Sequence, residues 1–75
     1  MTGPLSFAKA AALRLDQADA ATLYVGYAVP GTTDSEASWR IMKITTTGTV
    51  DVIEYANGNS SYNAIWNDRA SLIYS

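Results

Sequence analysis

The feature that most constrains this chain is a set of short strand-like runs with apolar residues on both faces. Residues 22–29 alternate between two apolar sets, Leu23, Val25, Tyr27 and Val29 on one face and Tyr24, Gly26 and Ala28 on the other. A chain of 75 residues normally leaves one face of an antiparallel sheet in water. Two-sided apolarity therefore indicates either burial against another chain or a sheet curled so tightly that both faces pack within one chain. The pattern leaves both interpretations open.

Further strands are predicted at residues 39–46 and 49–56, joined as a β-hairpin through Thr47 and Gly48. Asn57-Gly58 is a strong turn signal, since both residue types tolerate positive φ. Residues 71–75 predict a last strand, with Leu72 and Tyr74 opposite Ile73.

Two segments are harder to interpret. Residues 60–66 predict a short helical turn, because Tyr62, Ile65 and Trp66 are spaced to share one helical face. Residues 8–22 are ambiguous: the alanines favour a helix, whereas Leu13 and Leu15 alternate as in a strand. We slightly favour a strand at 11–16.

These elements predict an all-β fold, a small antiparallel β-sandwich or partial barrel with one short helical turn. We interpret residues 1–10 as an N-terminal arm that lies against a neighbouring subunit and residues 11–75 as a single β domain. So small a domain is marginally stable alone and usually needs a disulfide, a metal or a partner subunit. The sequence has no Cys and no His, so we expect oligomerisation to supply the stabilisation.

Charge and hydropathy argue against several classes of function. The net charge is -2 and the five basic residues are scattered, so a basic footprint for nucleic acid is missing. No apolar run approaches the ~20 residues of a membrane span, and the N-terminus lacks the pattern of a secretory signal. We therefore expect neither nucleic acid nor membrane as a partner.

Catalytic and metal-binding constellations are weak. Asp51 and Glu54 lie three residues apart in a predicted strand and so point to opposite faces, unlike a glycosidase pair. A serine nucleophile has no histidine as its base, and no calcium-loop pattern ending in Glu is present. We expect no enzyme activity, no cofactor and no metal.

The aromatic residues are the remaining candidates. We interpret nine residues as structural or interface positions: Phe7, Tyr24, Tyr27, Trp39, Tyr55, Tyr62, Trp66, Arg69 and Tyr74. Core packing or a subunit interface is the plainer role, with Trp39 and Trp66 as buried anchors and Arg69 paired with Asp51, Glu54 or Asp68. The alternative is a carbohydrate- or host-surface-binding module that stacks sugars on exposed aromatics.

Three stretches together resemble a family of small proteins encoded by tailed bacteriophages. They are a Tyr-Val-Gly strand at Tyr24-Val25-Gly26, a Trp-led strand from Trp39, and the turn at Ala56-Asn57-Gly58 followed by Ile65-Trp66-Asn67-Asp68-Arg69-Ala70-Ser71-Leu72. The resemblance covers residues 22–75, and its closing motif is the most specific part. This chain departs from the pattern with Asn57 where an acid is common and Tyr62 where phenylalanine is common.

The resemblance implies a structural role in a virion, made in the host cytoplasm. A tail position (fibre adaptor or baseplate) is favoured and capsid decoration comes next. It implies other virion proteins and copies of the same chain as partners, in a homo-oligomer or hetero-assembly, and it transfers no catalytic residue.

Overall fold

The computed structural model describes residues 12–75. They form five strands and one short 3-10 helix: β1 (Ala12–Asp19), β2 (Thr22–Ala28), β3 (Ala37–Thr47), β4 (Val50–Tyr55), β5 (Ala64–Ile65) and the helix Trp66–Ser71. The predicted arm, with Phe7, lies outside the described residues. The all-β class with one short helical turn is confirmed.

All pairings in the sheet are antiparallel, and β3 is its centre. The strand order is β1-β2-β3-β4. β4 pairs with the second half of β3, from Met42 to Thr47. β5 pairs with the start of β3, at Ala37 and Trp39, so β4 and β5 share the edge of β3 that faces away from β2. An eleven-residue strand thereby supports three neighbours.

The predicted turns are confirmed. Thr47 pairs with Val50 around Gly48, whose φ of 62° is the left-handed conformation that glycine adopts without cost. Asn57 and Gly58 both have positive φ, 58° and 69°. They turn the chain away from β4 directly after its last residue.

The ambiguous segment after residue 8 is a strand where it is described. β1 runs to Asp19, three residues beyond the predicted end, because seven of its residues pair with β2. The Gln17 side-chain amide closes the β1–β2 connection by donating to the carbonyls of Asp19 and Thr22, at 2.8 and 3.2 Å. At Ala12 and the residues after it, sheet pairing prevails over helix propensity.

The helical turn predicted at 60–66 is wrong in position. The backbone N–H of Ser61 donates to the Asn59 side chain at 3.0 Å, a local turn that competes with helix initiation. Ala64 and Ile65 then pair with β3. The helical turn starts only at Trp66, where the next N–H, that of Asn67, donates to the Asp34 carbonyl at 3.1 Å.

The strand predicted at 71–75 is reduced to one bridge, Tyr74 with Ala56. The 3-10 helix includes Ser71, whose hydroxyl donates to the Asp68 carbonyl at 2.9 Å, so the predicted strand loses its first residue. The predicted alternation is nevertheless present. Leu72 and Tyr74 pack against the core, and Ile73 is 79% exposed.

One face of the sheet carries the core. We call it the inner face; it presents Ala12, Arg14 and Asp16 from β1, Tyr24, Gly26 and Ala28 from β2, Trp39, Ile41 and Lys43 from β3, and Glu54 from β4, with Ala56 just beyond. Trp39 and Ile41 are almost completely buried. Trp66 comes from outside the strands and packs on this face, with its ring centre 5.9 Å from that of Trp39.

Glycine at position 26 makes this packing possible. A Cβ built there would lie 2.6 Å from Cε3 of Trp66 and 3.1 Å from Cε3 of Trp39. No real Cβ tolerates the first distance, so the indole occupies the space that any other residue would need. Gly26 therefore marks a close approach of side chain to backbone inside a strand.

We predict that Gly26→Ala destabilises the fold by about 1–3 kcal/mol, the usual cost of overpacking a core. Urea denaturation followed by tryptophan fluorescence measures it. The matched control is Trp66→Phe, whose smaller ring leaves room for the new methyl group. In that background Gly26→Ala should cost clearly less than in the wild type, and an equal cost in both backgrounds would contradict the contact.

Candidate functional site

The other face of the sheet is apolar across all four long strands. We call it the open face. Its apolar and aromatic residues are Leu13, Leu15, Leu23, Val25, Tyr27, Met42, Ile44, Ile53 and Tyr55, and its polar residues are Gln17, Arg40, Thr46 and Asp51. The register aligns these residues in rows across the strands: Leu15, Val25, Met42 and Tyr55 form one row, and Leu23, Ile44 and Ile53 lie in the next. Side chains alternate strictly between faces along a strand, so the inner-face packing leaves these residues together on the opposite side.

No helix or strand of residues 12–75 packs across this face, and its most exposed apolar residues lie on the edge strands β1 and β4. The closing segment packs on the inner face instead, where Trp66, Leu72 and Tyr74 belong to or contact the core cluster. On the open face Leu15 is 72% exposed and Ile53 is 56% exposed. Val25 is 8% exposed yet lies outside the core cluster, as expected for the centre of a second apolar surface.

The size of the open face follows from strand geometry. Four strands spaced about 4.8 Å apart and six residues of about 3.3 Å each give a footprint of roughly 19 by 20 Å. Contiguous apolar patches approaching ~400 Å² on a small protein commonly mark contact surfaces. The two-sided apolarity of the sequence thus corresponds to one core face and one candidate contact face.

A cation lies at one end of the open face. Nη2 of Arg40 donates to the Tyr55 hydroxyl at 3.1 Å, and the guanidinium carbon is 5.3 Å from the Tyr55 ring centre and 6.0 Å from that of Tyr62. Hydrogen bonding, first to Tyr55 and then to Tyr62, raises the pKa of Arg40 from its ordinary value. The Nε atom of Arg40 is buried and has no hydrogen-bond partner within the described part of the chain.

An anion lies at the opposite end. Asp51 pairs across β3–β4 with Thr46, six residues along β3 from Arg40. Its carboxylate accepts a hydrogen bond from the Thr46 hydroxyl at 2.6 Å and is otherwise exposed. The open face is therefore apolar in the middle, positive at one end and negative at the other.

Arg69 fastens the closing segment to the inner face, but with a partner other than those predicted. Its Nε donates to Asp16 at 3.0 Å, and its guanidinium carbon lies 4.5 Å from the Trp66 ring centre. Asp51, Glu54 and Asp68 were the expected partners, so that prediction is wrong. Asp16 is 53 positions away in sequence, and only the fold of β1 across the sheet brings it near.

A second ion pair was not anticipated from sequence. Nε of Arg14 donates to Asp34 at 3.1 Å, and the guanidinium carbon lies 5.2 Å from the Trp39 ring centre. Asp34 belongs to the β2–β3 loop, where the Trp39 indole N–H also donates to the Thr33 carbonyl at 2.9 Å. Glu36 accepts from the backbone N–H and hydroxyl of Thr33, and these bonds lower the pKa of Glu36.

The aromatic candidates separate into the two faces. Trp39 and Trp66 are buried, as predicted, and Tyr24 and Tyr74 are half-buried on the inner face with ring planes tilted by 45°. Tyr27 and Tyr55 are half-buried on the open face. Tyr62 is 54% exposed and borders Arg40. Sugar stacking requires a platform of exposed, coplanar aromatic rings. Of the four candidates for such a platform, Tyr62 is more than half exposed, whereas Tyr24, Trp66 and Tyr74 are buried or half-buried, so they do not form one.

Residues 12–75 contain no pocket and no cluster of three or more His, Cys, Asp or Glu side chains arranged to hold a metal. None of its helices is long and apolar enough to cross a membrane. Comparison of the chain with protein-family models, with curated proteins and with solved structures finds no match.

The closing segment yields a pH prediction through Tyr74. Burial raises the pKa of Tyr74 from 10.0 to about 12; the neighbouring Tyr24 adds to the rise and Arg69 opposes it. The folded chain thus holds the phenolic proton more tightly than the unfolded chain. The stabilisation is fully present below pH 10 and is lost as the pH rises from about 10 to about 12.

We expect the urea midpoint of the wild type to fall over that interval more steeply than that of Tyr74→Phe. At pH 7 the same variant should lose about 1 kcal/mol, because the Tyr74 hydroxyl donates to the Arg69 carbonyl at 2.8 Å. The exposed Tyr62→Phe is the control, and it should retain the wild-type alkaline slope. Parallel curves for wild type and Tyr74→Phe would show that Tyr74 is not the group responsible.

Proposed function

We propose that this chain is a structural assembly module of a tailed-phage virion and that the open face is its contact surface. One observation carries the proposal: an apolar sheet face as wide as the sheet itself, with Leu15 and Ile53 more than half exposed. Such a face is unfavourable in water, since each apolar square ångström left exposed forgoes about 25 cal/mol. Contact with another protein removes that cost.

The small core supports the same role. Seven hydrophobic residues are buried in the described part of the chain: Val25, Ala28, Trp39, Ile41, Ala56, Ala64 and Trp66. Three of the seven are alanines, which contribute little apolar area. A domain with so small a core gains stability from assembly, as expected for a protein present in many copies on a particle.

The virion setting comes from the resemblance of residues 22–75 to small phage-encoded proteins. The structure gives the closing motif a physical role that fits a structural protein. Trp66 fills the space over Gly26, Asn67 donates to Asp34, and Arg69 binds Asp16. These residues close the inner face and leave the open face for partners, namely other virion proteins and copies of this chain. We favour the tail over the capsid surface as its location.

The test is incorporation into particles. We expect mass spectrometry of particles purified from lysates of phage-producing cells to find the wild-type chain as a stoichiometric component. Leu15→Lys and Ile53→Lys place a charge on exposed positions of the open face and should reduce incorporation at least tenfold with little loss of stability. Immunogold labelling of the same particles then places the chain on tail or capsid.

The matched control is Ile73→Lys, which adds the same charge at an exposed apolar residue outside the open face. It should be incorporated like the wild type. Absence of the wild-type chain from purified particles would refute the virion role. Glycan-array binding that is lost in the folded variant Tyr62→Ala would instead favour the carbohydrate-binding alternative.

A further inference from the structure

We infer that the partner on the open face is a second copy of this chain, related by a two-fold axis, so that the two sheets form a β-sandwich. The inference extends the proposed assembly role, because it names the occupant of the same surface. Within residues 12–75 the inner face is closed by the segment after β5 and not by a second sheet. A second copy would supply the missing layer, with two sheets packed about 10 Å apart as in other sandwiches.

The two ends of the open face fix where the axis lies. In an isologous interface, a residue of the first copy that contacts a given residue of the second copy has its contact repeated with the two copies exchanged. Arg40 and Thr46 are equally far along β3 from Lys43. A two-fold axis that crosses the strands at the level of Lys43 and lies between the two sheets therefore places Arg40 of one copy over Thr46 of the other.

That placement brings opposite charges together. Asp51 is the direct neighbour of Thr46 in the sheet, so Arg40 of each copy lies within reach of Asp51 of the other. Arg40 is half-buried on this face, and Asp51 is exposed, with the Thr46 hydroxyl as the hydrogen-bond partner of its carboxylate within residues 12–75. The two-fold arrangement makes the same pair of opposite charges twice.

The centre of the face is self-complementary as well. The two central rows lie on either side of the axis, Val25 and Met42 on one side and Leu23 and Ile44 on the other. Face-to-face pairing thus places apolar side chains of medium size against one another, with no charged side chain from these rows in the middle.

The area of the open face sets the expected affinity of the dimer. A face of roughly 19 by 20 Å, or about 380 Å², is smaller than the ~800 Å² per partner of a standard interface. We therefore expect a dimer that dissociates in the micromolar range. Light scattering coupled to size-exclusion chromatography, over a concentration series of the full chain, should show the mass rising from about one chain to about two.

Charge reversal tests the geometry. Arg40→Glu and Asp51→Lys each place like charges against one another, and each should weaken dimerisation at least tenfold. The combined variant restores an opposite pair and should return the dissociation constant to within about threefold of the wild type. Ile73→Lys, which lies off the face, is the control and should leave the dissociation constant unchanged. Thermal melts followed by circular dichroism establish that each variant is folded.

Three results would overturn the inference. One is a folded wild-type chain that stays monomeric up to millimolar concentration. Another is a dimer on which both charge reversals have no effect. The third is a monomer in which residues 1–11 cross-link to the open face, which would make those residues the occupant.

The failure of this inference and that of the virion role are distinguishable. A monomer whose Leu15→Lys variant is still lost from particles overturns self-pairing and leaves the assembly role intact. A dimer that is sensitive to charge reversal but absent from particles supports self-pairing and refutes the virion role.

Discussion

The packing of Trp66 over Gly26 is the interaction on which the rest of the structure depends. The indole lies so close to the β2 backbone that even a methyl group would not fit between them, and its ring also contacts Trp39. Trp66 reaches this place because Ala64 and Ile65 pair with the start of β3. Trp66 therefore joins the last residues of the sequence to the two central strands, β2 and β3. In a domain without cysteine, this packing holds the closing segment on the sheet without a covalent link.

This closure decides how the two faces of the sheet are used. The residues after β5 are enough to cover part of the inner face, through Trp66, Leu72 and Tyr74, with Arg69 reaching Asp16 at its border. Little of the described chain remains to cover the other face, and apolar residues are present there in every long strand. The described chain thus builds a single core and a second apolar surface. Of the two readings that the sequence left open, packing of both faces within one chain is not what residues 12–75 show.

The predictability of the structure differs between local and distant features. The strands at 22–29, 39–46 and 49–56 and their turns were predictable because alternation and turn residues are local signals, and Leu72, Ile73 and Tyr74 likewise kept their alternation. The helical turn was misplaced because the spacing of Tyr62, Ile65 and Trp66 fits a helix but does not exclude other structures. The Asn59 side chain binds the backbone just before Tyr62, and pairing with β3 holds the backbone just before Trp66 extended. The open face could be suspected from two-sided apolarity. The charged ends of the open face could not be predicted, since only the β3–β4 register places Arg40 and Asp51 on the same face.

That register also explains why the core and the open face depend on each other. Along β3 the side chains alternate between the inner face (Trp39, Ile41) and the open face (Arg40, Met42), so a slip of one residue would exchange the two sets. Such a slip would place the Arg40 guanidinium against Trp66 and remove Trp39 from the core. The turn at Gly48 holds β4 to β3 in the observed register. The packing of Trp66 against Gly26 and Trp39 holds β2 to β3 in the same way. The arrangement of the open face is consequently stabilised by packing on the opposite side of the sheet, so the contact surface that we propose is ordered before any partner binds.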